Sequence, residues 1–210
     1  MRYLVFLFAV VAALGADLPR ITYSKSFPGS VPPYVEISVD KNGMAVYKES
    51  ADDESPLKFR LTEAEASEVF ALAAKLDHFR RPLESGLKVA KMGKKSFRYE
   101  DGNVKNEVHF NFSQDLDART LTDWFERMTE TEQQFINLQR TTRFDKLGVN
   151  QALIQLQAAH ERKRLVAPEQ FLPLLERIVK NDTYMHMSRE RAAGLAEAFR
   201  ASTAGKSGAE

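Results

Sequence analysis

The apolar residues of this chain change their period once along the sequence. Up to Phe112 they mostly alternate in short stretches, and from Asp115 onward they recur every three or four positions. A period of two marks half-buried strands, and a period near 3.6 marks amphipathic helices. Strands grouped first and helices grouped after predict an α+β fold rather than an alternating α/β one. The expected architecture is a small antiparallel sheet of two hairpins packed with helices on one side, followed by an all-helical C-terminal extension.

The individual elements are legible in the same way. Ile21 to Ser24 reads as a short strand. Val35, Ile37 and Val39 share one face of a strand whose other face carries Tyr34, Glu36 and Ser38. Asp40-Lys41-Asn42-Gly43 has hairpin-turn composition, and Met44 to Lys48 is the return strand. Leu57, Phe59 and Leu61 share the face of a third. Thr62 and Glu65 then stand at capping-box spacing before Val69, Phe70, Ala73, Leu76 and Phe79, which predicts a helix ending before Arg80. A second hairpin turns at Asp101-Gly102-Asn103, with Val108, Phe110 and Phe112 facing inward. Leu121, Trp124, Met128, Phe135, Leu138 and Thr142 predict one long helix that misses a beat at Thr131. Shorter helices follow from Val149, from Pro168 and from a cap at Ser188.

The N-terminus carries a different signal. Arg2 precedes an apolar run from Tyr3 to Leu14, then the small residues Gly15 and Ala16 and the polar Asp17. Charge, short apolar core and small residues in that order predict a cleaved export signal. The run is shorter than the ~20 residues that span a bilayer, so no stable membrane span is expected after cleavage. The predicted organisation is therefore a signal peptide over residues 1–16, an α+β domain over 17–128, a helical extension over 129–201 and a disordered tail over 202–210. The expected location is outside the cytoplasm, periplasmic or secreted.

Composition narrows the chemistry. The chain has no cysteine, so thiol catalysis, zinc–thiolate sites and disulfides are excluded. Its 30 basic residues face 29 acidic ones, and loss of Arg2 with the leader balances them. A neutral protein has no global field to draw it to nucleic acid, so no nucleic-acid partner is expected. No cofactor is called for either. There is no Gly-x-Ser-x-Gly elbow. Gly205-Lys206-Ser207 lacks the earlier glycine of a phosphate loop, with Arg200 in its place.

Phe27-Pro28-Gly29-Ser30-Val31-Pro32-Pro33-Tyr34, followed by Asn42-Gly43 and Tyr47, resembles the opening of an exported bacterial domain family of unknown function. That family begins with a cysteine-containing Gly/Pro/Tyr turn, then a strand, a turn glycine and a strand ending near tyrosine. Gly29, Pro32, Tyr34, Gly43 and Tyr47 fit the pattern. Phe27 and Val31 stand where the family has cysteines, so any role the cysteines play there is expected to be lost or replaced by apolar packing. The resemblance covers residues 20–128 and implies a fold and a compartment but no activity.

Three groups of residues are candidates for function. The rigid turn formed by Phe27, Pro28, Gly29, Pro32, Pro33 and Tyr34 can present a binding surface at low entropic cost; its alternative is simple packing against the first hairpin. Met185, His186 and Met187, next to Tyr184, offer thioether and imidazole ligands suited to Cu(I); the alternative is gap filling between helices. Lys88, Lys91, Lys94, Lys95 and Arg98, interleaved with Phe97 and Tyr99, offer either a contact for an anionic polymer or the charged guard of an edge strand. The four histidines, His78, His109, His160 and His186, show no ligand spacing, and His160 on an apolar helix face reads as structural. The leading expectation is a non-catalytic binding or structural module whose partner is an envelope protein or polymer. The rivals are an envelope hydrolase assembled from distant residues and a copper-binding protein.

Overall fold

The computed structural model describes residues 18–91 and 93–207. The expected signal sequence lies outside the described residues. Among those residues no helix is long and apolar enough to cross a membrane.

The fold is α+β. Six strands form one antiparallel sheet: β1 (Arg20–Ser26), β2 (Tyr34–Asp40), β3 (Met44–Lys48), β4 (Leu57–Arg60), β5 (Lys94–Asp101) and β6 (Val104–Phe110). Their order is β4-β3-β2-β1-β5-β6. The short strand at the N-terminus is thus central. It pairs with β2 from Arg20↔Asp40 to Ser26↔Tyr34 and with β5 from Arg20↔Glu100 to Ser26↔Lys94, joining the two hairpins.

Local chemistry explains the elements. Gly43 closes the first hairpin at φ +79, where a Cβ would lie 2.8 Å from the Leu61 carbonyl oxygen. Only glycine suits such a left-handed and crowded position. Helix α1 (Glu63–Lys75) begins on the complete capping box, in which the Glu65 N–H donates to the Thr62 hydroxyl and the Thr62 N–H donates to the Glu65 carboxylate. Helix α2 (Leu116–Phe144) starts where Asp115 accepts the Ala118 N–H at 3.1 Å. It passes through residue 128 without a break.

Two apolar cores result. The first packs Ile21, Tyr23, Ile37, Tyr47 and Phe97 of the sheet against Val69 and Leu76 of α1 and Leu121, Phe125 and Met128 of α2. Tyr23 stacks on Phe125 at 5.1 Å and Phe79 on Phe97 at 5.1 Å. Burying an aromatic or aliphatic side chain of this size contributes about 1.5–3 kcal/mol. The second core gathers Leu138 of α2 with α3 (Val149–Glu161), α4 (Leu172–Val179) and α5 (His186–Ser207) around Leu153, Leu175, Ile178 and Phe199.

The division between the cores falls inside α2, at Thr131 and Glu132. Thr131 is the missed beat of the helical pattern, and it is fully buried for a polar reason. Its hydroxyl donates to the Arg127 carbonyl and accepts the Val166 N–H at 3.0 Å. That bond ties the α3–α4 connection to α2, and it brings Val166 and Ala167 into the first core. Helix α5 begins at His186 rather than from a cap at Ser188. Ser188 lies inside the first turn, fully buried, while its N–H and that of Arg189 donate to the Met185 carbonyl. The helix runs on to Ser207, past the Ala201 at which the apolar pattern stops.

Candidate functional site

A cavity of about 770 Å³ opens where the β1–β2 turn meets the segment leading into β5. Its volume is in the range of small-ligand sites. Phe27 and Pro28 form one wall, Gly86, Leu87 and Val89 another, and Lys91, Lys94 and His109 supply polar groups.

Backbone hydrogen bonds hold both walls. In the turn, the Phe27 N–H donates to the Pro33 carbonyl at 2.9 Å and the Ser30 N–H to the Phe27 carbonyl at 3.0 Å. The Ser30 hydroxyl lies 2.7 Å from the carbonyl oxygens of both Phe27 and Pro32. The opposite wall is anchored on the end of β6. The Ser85 N–H donates to the Phe112 carbonyl at 2.8 Å, and the Asn111 side-chain amide donates to the Ala90 carbonyl at 3.1 Å. Gly93 lets the walls meet. At its φ of +94 a Cβ would stand 2.9 Å from the Phe27 Cβ.

The chemistry of the cleft is amphipathic. Phe27, Leu87 and Val89 remain 37%, 50% and 38% exposed and line the same cavity. Glu84 also lines the cleft, but its carboxylate is already engaged. It accepts the Asn111 N–H at 2.6 Å and the Ser85 N–H at 2.9 Å. The Asn111 bond is the main cause holding its pKa below the usual carboxylate value. Lys91 and Lys94 form no ion pair among the described residues. The net character is an apolar trough with two available ammonium groups.

The six turn residues do not line one cavity. Phe27 and Pro28 face the cleft, whereas Pro32 lines a second cavity of about 390 Å³ with Tyr23, Lys25 and Glu126. Gly29 is exposed at φ +92, and Pro33 serves the turn through its carbonyl. Tyr34 donates its hydroxyl to Glu36 at 2.9 Å. Burial and that carboxylate push the Tyr34 phenol up to about 12.

The basic stretch divides as well. An edge-strand guard does not account for it, because β5 is interior, flanked by β1 and β6. Alternation sends Lys94 outward to the cleft and Lys95 inward on the same face as Phe97. The Lys95 ammonium donates to the Asn111 carbonyl at 2.9 Å. The alternation of Lys95 with Phe97 was the available signal for this.

Met185, His186 and Met187 are exposed at the start of α5. Tyr184 turns away into the second core and donates to the Thr142 carbonyl at 3.0 Å. His186 lies 3.6 Å from Glu190. No group of three His, Cys, Asp or Glu side chains among the described residues could hold a metal ion. The histidines stand apart. His78 packs on Tyr99 with ring centres 4.5 Å apart, and His160 meets Phe199 edge-on at 5.1 Å. His109 reaches the cleft and lies 3.8 Å from Glu107.

No protein-family model matches this chain, and no curated protein matches it as a relative.

Proposed function

We propose that this protein is a non-catalytic binding module of the cell envelope, and that the cleft between Phe27 and Lys94 is its binding site. The observation that carries the reading is the meeting, in one cavity, of three exposed apolar side chains with two ammonium groups that form no ion pair among the described residues. Exposed apolar groups gathered in one place mark a contact surface. The ammonium groups select for negative charge. The ligand chemistry that fits is an anionic amphiphile: an apolar chain along Phe27, Leu87 and Val89, with its charged group at Lys91 and Lys94.

The rest of the molecule supports a binding rather than a hydrolytic role. Among the described residues, Glu84 is the one carboxylate lining the cleft and is spent on backbone N–H groups, and His109 is the one histidine. The leader-like run of residues 3–14 and the resemblance of residues 20–128 to an exported family support the envelope location.

Calorimetric titration with decanoate below its micelle concentration tests the reading, with decyl maltoside as the neutral counterpart. Saturable binding of decanoate, weakened in Lys91→Gln/Lys94→Gln and in Phe27→Ala, is expected. Equal binding of the neutral detergent, or undiminished binding by these variants, contradicts it.

A further inference from the structure

A smaller cavity of about 250 Å³ lies between the sheet and α2. It shares only Phe110 and Asn111 with the cleft. Its polar walls are Lys25 of β1, Lys95 of β5, and Arg119, Thr122, Asp123 and Glu126 of α2. The four helix residues follow the spacing that places them on one side of α2.

The charges here do not balance. Lys25 and Lys95 stand directly opposite each other in the β1–β5 register, and like charges in that position repel. Both point to the face that α2 covers. Glu126 is one carboxylate for the two of them and bonds Lys25 at 3.3 Å. Asp123 is held by Arg164 at 2.7 Å. Glu84, the other acid near Lys95, is engaged by Asn111 and Ser85. Arg119 makes no ion pair among the described residues.

Lys95 is the centre of the imbalance. It is only 7% exposed, and one backbone carbonyl takes one of its three N–H donors. Burial first, and then Lys25, pull its pKa below the ordinary lysine value. A buried ammonium with donors to spare is costly unless an anion meets it. Two ammonium groups and a guanidinium around one small volume match the several acceptor oxygens of one oxyanion.

We propose that this cavity is a binding site for a small oxyanion of the phosphate or sulfate class, held by Lys95, Lys25 and Arg119. The site is independent of the cleft, whose ligand needs an apolar chain.

The test uses inorganic phosphate at pH 7, with ionic strength held constant by sodium chloride and thermal unfolding as the readout. A ligand that binds only the folded protein raises the unfolding temperature in proportion to the logarithm of one plus its concentration over Kd. Phosphate is expected to raise it in that manner. The rise should vanish in Lys95→Met and shrink in Arg119→Gln. Lys180→Gln, a charge removed from the surface of the helical unit, should leave the rise unchanged. Circular dichroism checks that each variant folds, and Arg119→Gln keeps the test valid if Lys95→Met does not. No rise beyond the chloride control, or an equal rise in Arg119→Gln, overturns the site.

Discussion

Glu132 gives this fold a pH dependence that one substitution should remove. Its side chain sits in the seam between the two cores at 1% exposure. Oε1 has no hydrogen-bond partner among the described residues. Burial pushes its pKa up from 4.5 to about 7, with the Gln170 amide pulling slightly the other way. The acid holds its proton in the folded state at pH values where the unfolded chain has released it. Stability from this group is therefore full below about pH 4.5 and falls as pH rises towards 7. At 1.36 kcal/mol per pKa unit, the loss amounts to about 3 kcal/mol. Glu132→Gln keeps the shape and removes the titration. Urea unfolding from pH 4.5 to 8 should give a difference curve between Glu132→Gln and the unmutated protein that climbs by about 3 kcal/mol in favour of the variant. Groups that titrate in both proteins cancel in that difference. A flat difference curve would show that Glu132 does not titrate with a raised pKa in the fold.

Further expectations follow from single contacts. Gly43→Ala forces a Cβ towards the Leu61 carbonyl at a left-handed position and should cost at least about 1–2 kcal/mol in urea unfolding. Thr131→Val removes the acceptor for the buried Val166 N–H and should cost about 1–3 kcal/mol, measured the same way. Gly93→Ala pushes on Phe27 and should weaken decanoate binding in calorimetry without lowering the α-helical circular dichroism signal. Phe27→Ala should weaken the same binding by about tenfold or more, since losing one aromatic contact of this size exceeds 1.4 kcal/mol.

The parts of the fold that depend on neighbours in sequence were legible, and those that depend on distant pairing were not. The capping box at Thr62 and Glu65, the turn at Gly43 and the alternation of Val35, Ile37 and Val39 are local events, and each appears where the pattern puts it. The central place of Ile21 to Ser24 is not a local property. It follows from partners on both sides, one of them more than seventy residues away. The same holds for Lys95, whose charge suggests solvent while its register with Lys25 turns it inward. Thr131 broke the helical pattern because hydropathy scores a hydroxyl as polar. Its partner, the Val166 N–H, comes from a loop the helix pattern does not see.

The candidate cleft was half visible. The proline-rich turn marked Phe27 and Pro28 as rigid and exposed. Its other wall, with Gly86, Leu87, Val89, Lys91 and Lys94, carries no period, and only its lysines single it out in the sequence. Nothing in the sequence shows that Gly93 lets that segment lie against Phe27, because the contact exists only once β1 and β5 are paired.

Amide chemical-shift changes during a titration map decanoate onto the protein and test the cleft most directly. Saturable changes concentrated at Phe27, Leu87, Val89, Lys94 and His109 are expected. Changes absent at these positions, or spread evenly over both apolar cores, would contradict binding in the cleft.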